Sequence, residues 1–330
     1  MKIVFICPYF GKLPNYFPIW LKTCEYNKDI NWIVFTDDET HYNYPKNVKV
    51  NYLTFSEFSD YIKKRLKIEI RLDKPYKLCD FKPLYGDIFQ EYIKEYDFWG
   101  HCDIDCIFGN IRKFITDEVL NKYDKILFLG HMTLYRNKKE VNERYKIKIG
   151  DLDYKQILNQ PMNYAFDESF KSISINMIYD QNKFPFYKKE IYFDICPLYY
   201  DFRKCYYKNQ TPYVEMNKNV IFEWKDGTLI AKSMNNKKME EKEYAYVHFQ
   251  KRKVKNQIEK IQECRDFVFI PNKIFSMDNT MVDKNIQKYL KRKKIFYSVY
   301  FKQRFKNFTY KLKKTYKEKI KGENSKKDRC

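Results

Sequence analysis

The chain has 330 residues, enough for one large domain or two small ones with a substantial core. Hydrophobic residues make up 44% of it and aromatic residues 19%, which excludes a disordered chain. The formal net charge is +21, but residues 284–330 hold 18 lysines and arginines against 3 acidic residues. The positive charge is therefore concentrated in a C-terminal tail, and the body of the chain is only mildly basic.

The composition also bears on the cellular location. No apolar run approaches the length of about 18 residues that a transmembrane helix needs. Pro8 and Lys12 interrupt the apolar N-terminus too early for a signal peptide. Nine cysteines without a Cys-x-x-Cys motif favour buried free thiols in a reducing cytoplasm. His101, Cys102 and Cys106 lack a second Cys/His pair, which disfavours a zinc site.

The N-terminal part of the chain predicts alternating strands and helices. Strands are expected at Lys2–Cys7, Asn31–Thr36 and Val48–Phe55, and helices at Tyr16–Tyr26 and Ser56–Arg71. Because Lys2–Cys7 is a continuous apolar run, it indicates a strand buried on both faces of a parallel sheet.

Residues that follow the first two strands are candidates for a ligand-binding edge, because open α/β sheets bind ligands at the carboxyl ends of their strands. Tyr9 and Gly11 follow the first strand, and Asp37 and Asp38 follow the second. Acids at such positions accept hydrogen bonds from a ribose hydroxyl or a base, and a turn or helix cap is an equal alternative for each. With 8 glycines and no Gly-x-Gly-x-x-Gly or phosphate-loop motif, the chain would hold a nucleotide by other means.

The stretch 97–108 predicts a short buried strand that ends in two carboxylates, Asp103 and Asp105. On an extended backbone these two side chains share one face of the strand. Like charges this close are costly unless a cation lies between them, and carboxylate oxygens favour Mg²⁺ or Mn²⁺. A second triplet, Asp151–Asp153, follows no apolar strand and indicates a solvated turn.

Two motifs carry a resemblance to a known family. Pro75–Phe89 reads Pro-Tyr-Lys-Leu-Cys-Asp-Phe-Lys-Pro-Leu-Tyr-Gly-Asp-Ile-Phe, and Trp99–Asp105 reads Trp-Gly-His-Cys-Asp-Ile-Asp. Together they resemble the nucleotide-sugar glycosyltransferases of GT-A fold that build bacterial capsular and other surface polysaccharides. The resemblance runs from Lys2 to about Val254 and implies an α/β fold, a Rossmann-like mixed sheet flanked by helices. It also implies that Asp80 and Lys82 contact the nucleotide or the donor sugar.

We accordingly predict a glycosyltransferase domain at 1–283, with the donor side at about 1–135 and the acceptor side at about 136–250. Asp103 would contact the donor as well as the metal ion. The remaining segment, 284–330, is predicted to be a separate tail.

After the central strand, a helix is expected at Ile111–Tyr123 and a strand at Lys125–Leu129. His131 comes directly after this strand and is a candidate contact for acceptor or donor, with a hydrogen-bonded loop histidine as the alternative. Direct displacement by a sugar hydroxyl needs a general base, and a carboxylate is the usual choice. Asp167 resembles the acid of the family's Phe-Asp-Glu motif and is our first candidate, with Glu168 second. An enzyme that retains configuration would need no such base.

The C-terminal part of the body predicts a β-hairpin at Val220–Ala231, with its turn at Asp226 and Gly227, and a strand that closes on His248. The resemblance implies that this late histidine completes the metal shell, with a hydrogen-bonded core histidine as the alternative. An imidazole beside two carboxylates suits Mn²⁺ somewhat better than Mg²⁺. By the same resemblance, the basic residues that follow, Lys251 and Arg252, would hold the donor diphosphate.

The tail predicts a basic amphipathic helix. Phe301, Phe305, Phe308, Leu312 and Tyr316 recur every three or four residues, and lysine or arginine fills most positions between them. Such a helix fits the surface of an anionic membrane. A helix packed on the body or on a partner, and one that attracts RNA, are the alternatives.

These features together predict a cytoplasmic, metal-dependent glycosyltransferase held peripherally at the inner face of the cell membrane. It would move a sugar from a nucleotide-sugar, expected to be a UDP-sugar, to a hydroxyl of a saccharide or lipid-linked acceptor. A nucleic-acid-binding protein that acts through its basic tail is one alternative, but it leaves the acidic strand unexplained. A metal-dependent nucleotidyltransferase is the other, since it would use the same metal ligands.

Overall fold

The computed structural model describes residues 1–277 except 151, 152, 170–172, 198, 200, 209, 210, 216–219, 236, 237, 251, 253, 259, 262 and 272, and beyond them residues 286, 289, 305, 308 and 309. The strands are β1 (Ile3–Pro8), β2 (Ile30–Thr36), β3 (Val48–Tyr52), β4 (Phe98–Cys102), β5 (Cys106–Phe108), β6 (Lys125–Leu129), β7 (Met132–Arg136), β8 (Phe186–Tyr187), β9 (Tyr192–Ile195), β10 (Lys204–Lys208), β11 (Thr211–Val214), β12 (Ile221–Lys225), β13 (Thr228–Asn235), β14 (Lys238–Glu243), β15 (Tyr246–His248), β16 (Lys255–Asn256), β17 (Asp266–Ile270) and β18 (Lys273–Ser276). The α-helices are α1 (Phe17–Tyr26), α2 (Phe55–Leu66), α3 (Tyr85–Ile88), α4 (Gln90–Ile93), α5 (Ile111–Phe114), α6 (Asp117–Lys122), α7 (Lys139–Asn142), α8 (Tyr154–Leu158) and α9 (Ile175–Gln181), and 3-10 helices span Pro75–Leu84 and Arg144–Lys146.

A seven-stranded sheet in the order β3-β2-β1-β4-β7-β6-β8 forms the centre of the fold. The first four strands are parallel, and β7 runs antiparallel to both of its neighbours. Side chains of β1 alternate between two cores, with Ile3 and Phe5 on the α1 face and Val4 and Ile6 on the α2 face. The predicted mixed α/β sheet flanked by helices is confirmed.

A second sheet, in the order β11-β10-β9-β15-β5, begins where the chain leaves the central one. β15 lies between β5 and β9, so that His248 is opposite Cys106 on one side and Asp194 on the other. The backbone N–H of Phe249 donates to the carbonyl of Asp105 over 2.9 Å. This sheet therefore brings residues from late in the chain to the end of β4.

The third sheet has the order β14-β13-β12-β17-β18-β16 and contains the predicted hairpin. Asp226 and Gly227 connect β12 to β13 with φ angles of 44° and 83°. Positive φ at both central residues is the requirement of a tight hairpin turn whose twist matches its strands, and Asp-Gly meets it at low cost. The hairpin prediction is confirmed.

Helix ends differ from the predicted ones for local reasons. Thr54 and Glu57 form a capping box that begins α2 at Phe55, so β3 ends earlier than predicted. Lys67 takes a left-handed conformation and ends the helix. The single helix predicted at 111–123 is two helices, because the side chain of Thr116 caps a new start before α6.

The eight described cysteines are free, and six of them are buried, in line with the prediction. Among the residues that the structure describes, no helix is long and apolar enough to cross a membrane. The predicted amphipathic tail falls outside the described residues, apart from five helical positions from 286 to 309.

Candidate active site

Asp103 and Asp105 lie in a turn between β4 and β5. The prediction of an extended strand through these residues was wrong, because β4 ends at Cys102, opposite Met132 of β7. The N–H of Asp103 donates to the carbonyl of His131 over 2.9 Å, and the N–H of Cys106 donates to the carbonyl of Asp103 over 3.3 Å. The change from the central sheet to the second sheet, and not strand alternation, places the two carboxylates side by side.

His248 completes a cluster with these two acids. One ligand atom from each of Asp103, Asp105 and His248 lies within 4.8 Å of the others. The distance from His248 Nε2 to Asp105 Oδ1 is 3.4 Å. Burial alone would lower the pKa of His248, but Asp105 and Asp194 outweigh it and raise the pKa. The predicted ligand set is thus brought together from positions far apart in the chain.

The chemistry of this donor set fits a divalent cation. Two carboxylates and one imidazole are ligands that Mn²⁺ accepts, and Mg²⁺ accepts the oxygens. The side chain of Asp103 is 38% exposed, whereas those of Asp105 and His248 are 12% and 11% exposed. The cluster is therefore sheltered on one side and open on the side of Asp103, where a diphosphate oxygen could join the shell.

A second group also has metal-binding spacing. His131, Asp194 and His248 meet the same distance condition, and all three are buried. The two groups share His248 and so compete for it.

Lys82 lies beside the acidic pair. Its Nζ donates to Asp103 Oδ1 and to the carbonyl of Gly130, both over 2.8 Å, and lies 3.7 Å from Asp167 Oδ2. Burial alone would lower the pKa of Lys82, but Asp103 and Asp167 outweigh it and raise the pKa, so the ammonium stays charged. Its predicted contact with the donor stays a prediction.

Asp167 is buried next to this ammonium. Among the residues that the structure describes, its buried Oδ1 has no hydrogen-bond partner. Burial is the main cause that raises the pKa of Asp167, and Lys82 offsets only part of the effect. A Cβ on Gly130 would lie 2.3 Å from Asp167 Oδ2, so this close approach requires glycine. Glu168 is held differently, since its Oε2 accepts the N–H of Gly130 over 2.8 Å.

Asp80 lies beneath the loop that carries Asp167. The Asp80 carboxylate is fully buried and accepts Lys77 Nζ over 2.7 Å, the N–H of Phe166 over 3.0 Å and the N–H of Tyr164 over 3.1 Å. Its contacts in the structure thus hold the loop that carries Asp167, and its predicted role in donor binding stays a prediction.

Asp80→Asn is expected to lower the free energy of unfolding by about 3–5 kcal/mol, because the buried ammonium of Lys77 would lose its carboxylate. Urea unfolding at neutral pH measures this. Asp73→Asn is the matched control, since the Arg71–Asp73 pair is exposed and should contribute less than about 1 kcal/mol. A loss for Asp80→Asn no larger than that of the control would contradict the expectation.

His131 lies behind His248, with ring centroids 4.4 Å apart. Its Nδ1 is 3.0 Å from the hydroxyl of Tyr246, and its Nε2 is buried with no hydrogen-bond partner in the described part of the chain. Burial, followed by repulsion from His248, lowers the pKa of His131 to about 3, so this ring is neutral. The side chain is 4% exposed, and its predicted contact with an acceptor stays a prediction.

The predicted donor edge is occupied by a hydrogen-bonded loop. Asp37 accepts the N–H of Gly11 over 2.6 Å, and Asp38 accepts the N–H of Leu13 over 2.7 Å. Hydrogen bonds from Thr40 and Leu13 lower the pKa of Asp38. Both acids thus stabilise the loop after β1, which corresponds to the turn alternative, and contact with a nucleotide stays a prediction.

Tyr9 lies on the same edge, close enough to the turn between β4 and β5 for Asp105 to affect its pKa. Burial, then Asp105 and Asp38, raise the pKa of Tyr9.

Arg252 donates to the carbonyls of Cys196 and Tyr199 over 2.8 and 2.5 Å. Lys251, the other predicted diphosphate ligand, lies outside the described residues.

The sequence prediction missed Asp194 and Gln250. Asp194 Oδ1 is 2.8 Å from His248 Nδ1 and also accepts Gln250 Nε2 over 2.8 Å. A signal was present, since Asp194 is the one acid in the apolar run Ile191–Ile195, and an acid in a buried strand needs a partner.

Solved structures that are similar to part of this chain include the following three. Mouse xyloside xylosyltransferase 1 in its apo form has a TM-score of 0.34 at 11% identity, covering 59% of this chain and 88% of its own. The galactosyltransferase LgtC in complex with donor and acceptor sugar analogues has a TM-score of 0.35 at 13% identity, covering 60% and 76%. An active-site mutant of LgtC has a TM-score of 0.30 at 14% identity, covering 60% and 90%. Similarity at this level identifies no activity.

No curated protein sequence matches this chain. A protein-family model, described as a family of unknown function and designated DUF6625, matches residues 5–278. This match spans most of the chain, including all of the candidate site, and the chain belongs to the DUF6625 family.

Proposed function

We propose that this protein is a metal-dependent glycosyltransferase that uses a nucleotide-sugar donor. The observation that carries the proposal is the convergence of Asp103, Asp105 and His248 within 4.8 Å at the carboxyl end of β4. A mixed α/β sheet binds its ligands at this edge. The neighbouring cation Lys82 and the buried acid Asp167 add groups suited to charge stabilisation and proton transfer.

In this proposal Asp103, Asp105 and His248 hold Mn²⁺ or Mg²⁺. When bound, the ion would neutralise the charge that develops on the leaving nucleoside diphosphate. Lys82 adds a second positive charge next to Asp103. Lys251 and Arg252 are proposed to hold the diphosphate, and they follow His248 by three and four residues in the chain.

The acceptor side is proposed to use Asp167 as general base, with Glu168 as the second candidate. Asp167 is raised in pKa and close to Lys82, so its carboxylate can take a proton from an acceptor hydroxyl as the hydroxyl attacks the anomeric carbon of the donor sugar. Asp80 fixes the backbone of Phe166 directly before this base. Direct displacement of this kind inverts the anomeric configuration.

The proposal also covers the donor, the acceptor and the location of the enzyme. The donor is a UDP-sugar, and the acceptor is a saccharide or lipid-linked hydroxyl in bacterial surface polysaccharide synthesis. Residues 284–330 would hold the enzyme peripherally at the inner face of the cell membrane through their excess of lysine and arginine.

The test is a panel of nucleotide-sugars incubated with the full chain and Mn²⁺, with an EDTA-treated sample in parallel. We expect slow donor hydrolysis that releases a nucleoside diphosphate, faster turnover with a matching acceptor, and loss of both after chelation. Release of pyrophosphate instead would identify a nucleotidyltransferase. Equal turnover with and without chelator would remove the metal from the proposal.

A further inference from the structure

Asp194 is a buried acid that no step of the proposed reaction uses. It lies on β9 with 2% of its surface exposed, directly opposite His248 of β15 in a parallel register. Paired positions on neighbouring strands place their side chains on the same face of a sheet. The register itself therefore builds the 2.8 Å contact between Asp194 Oδ1 and His248 Nδ1.

The two nitrogens of His248 face different partners. Nδ1 faces Asp194, and Nε2 lies 3.4 Å from Asp105 Oδ1. An ionised carboxylate can only accept a hydrogen bond, so the nitrogen that faces Asp194 carries the proton. A cation bound beside Asp103 and Asp105 would displace the proton from Nε2, so that the Nε2 lone pair would face the ion while Nδ1 keeps its proton.

We infer that Asp194 is a positioning residue for the metal centre, holding His248 in the tautomer and orientation that present Nε2 to the ion. The inference rests on the proposed function. Gln250 Nε2 donates to the same carboxylate oxygen over 2.8 Å. An anionic partner on the far nitrogen also makes the imidazole a more basic ligand. His131, Asp194 and His248 form the second group with metal-binding spacing. Because Asp194 Oδ1 already accepts two hydrogen bonds, we assign Asp194 to holding His248 in place and not to binding an ion.

The experiment is a titration of the full-length protein with Mn²⁺, followed by the electron paramagnetic resonance signal of the free ion. Asp194→Asn keeps the shape of the side chain but removes its charge, and we expect Mn²⁺ to bind about 10- to 100-fold more weakly. Asp103→Asn, which removes a proposed ligand, should weaken Mn²⁺ binding further. Asp124→Asn is the matched control, since it removes a partly buried carboxylate bound to Arg136 and Arg144, away from the site, and should leave Mn²⁺ affinity unchanged.

A measurement on the wild-type chain covers the case in which Asp194→Asn does not fold. With diamagnetic Cd²⁺ bound, ¹⁵N spectra of His248 should show a protonated Nδ1 and a metal-bound Nε2. The reverse assignment would overturn the inference. So would strong Mn²⁺ binding that Asp194→Asn leaves unchanged, or binding that survives Asp103→Asn but not Asp194→Asn. A wild-type chain that binds no Mn²⁺ would overturn the proposed metal function and this inference together.

Discussion

Replacing Asp103 and Asp105 together by asparagine is expected to lower kcat/KM for donor turnover by about a thousandfold or more. The two carboxylates are the anionic ligands of the proposed centre, and a metal ion held by them would contribute several kcal/mol of transition-state stabilisation. The neutral amides keep the volume of the side chains but bind a divalent cation far more weakly. The rate is measured as nucleoside diphosphate released from the donor that the panel identifies, at saturating Mn²⁺.

The second Asp-x-Asp triplet of the chain supplies the matched control for this double variant. Asp153 caps helix α8 through its side chain, and asparagine is an equally good cap, so Asp153→Asn should leave turnover unchanged. The charge on Lys82 complicates the double variant, because this ammonium loses Asp103 and keeps Gly130 and Asp167 as partners. Thermal unfolding of both variants therefore accompanies the rates. Undiminished turnover in a folded double variant would falsify the metal assignment.

Asp167→Asn is expected to lower kcat/KM by about one hundred- to ten-thousandfold, the range of general base catalysis. An asparagine at this position cannot take the proton of an acceptor hydroxyl. Glu168→Gln is the comparison, because Glu168 is engaged with the N–H of Gly130 and should show the smaller loss. The assay needs an acceptor, since donor hydrolysis alone does not isolate this step. Unchanged transfer in Asp167→Asn would point to a mechanism that retains configuration.

The same substitution should stabilise the fold, and the gain should grow with pH. Burial raises the pKa of Asp167, so the folded protein binds its proton more tightly than the unfolded chain does. As pH rises above the unfolded value of about 3.9, wild-type stability therefore falls until the folded pKa is reached. Asparagine lacks this titration. The unfolding temperature of Asp167→Asn should exceed that of the wild type more at pH 7 than at pH 4, and equal differences at both would contradict the assignment.

The elements that the sequence predicted best are those whose causes are local. The apolar run Lys125–Leu129 forms a strand with the predicted bounds. The Asp226–Gly227 pair forms its hairpin turn because few other residue pairs tolerate two positive φ angles. Both ends of helix α2 differ from the predicted ones, because the capping box at Thr54 decides where the helix begins and the left-handed Lys67 decides where it ends. Capping depends on single side chains, which the periodicity of apolar residues does not reveal.

The candidate site was only partly predictable. Asp103 and Asp105 stand out because two acids after an apolar strand need a cation. Their geometry was predicted for the wrong reason, since a turn between two sheets, and not an extended strand, joins them. The acids Asp37, Asp38 and Asp80 show the limit of such inference, because in the structure each accepts hydrogen bonds from the backbone of nearby loops.

The sequence by itself determined several strands of the central sheet and the acidic pair, because these follow from the order of apolar and charged residues along a short segment. Only the tertiary structure decided which distant groups join that pair. His248 and Asp194 meet there because β15 lies between β5 and β9 in one register. A strand register is set by packing across a whole sheet, and a shift of one residue would turn His248 to the opposite face.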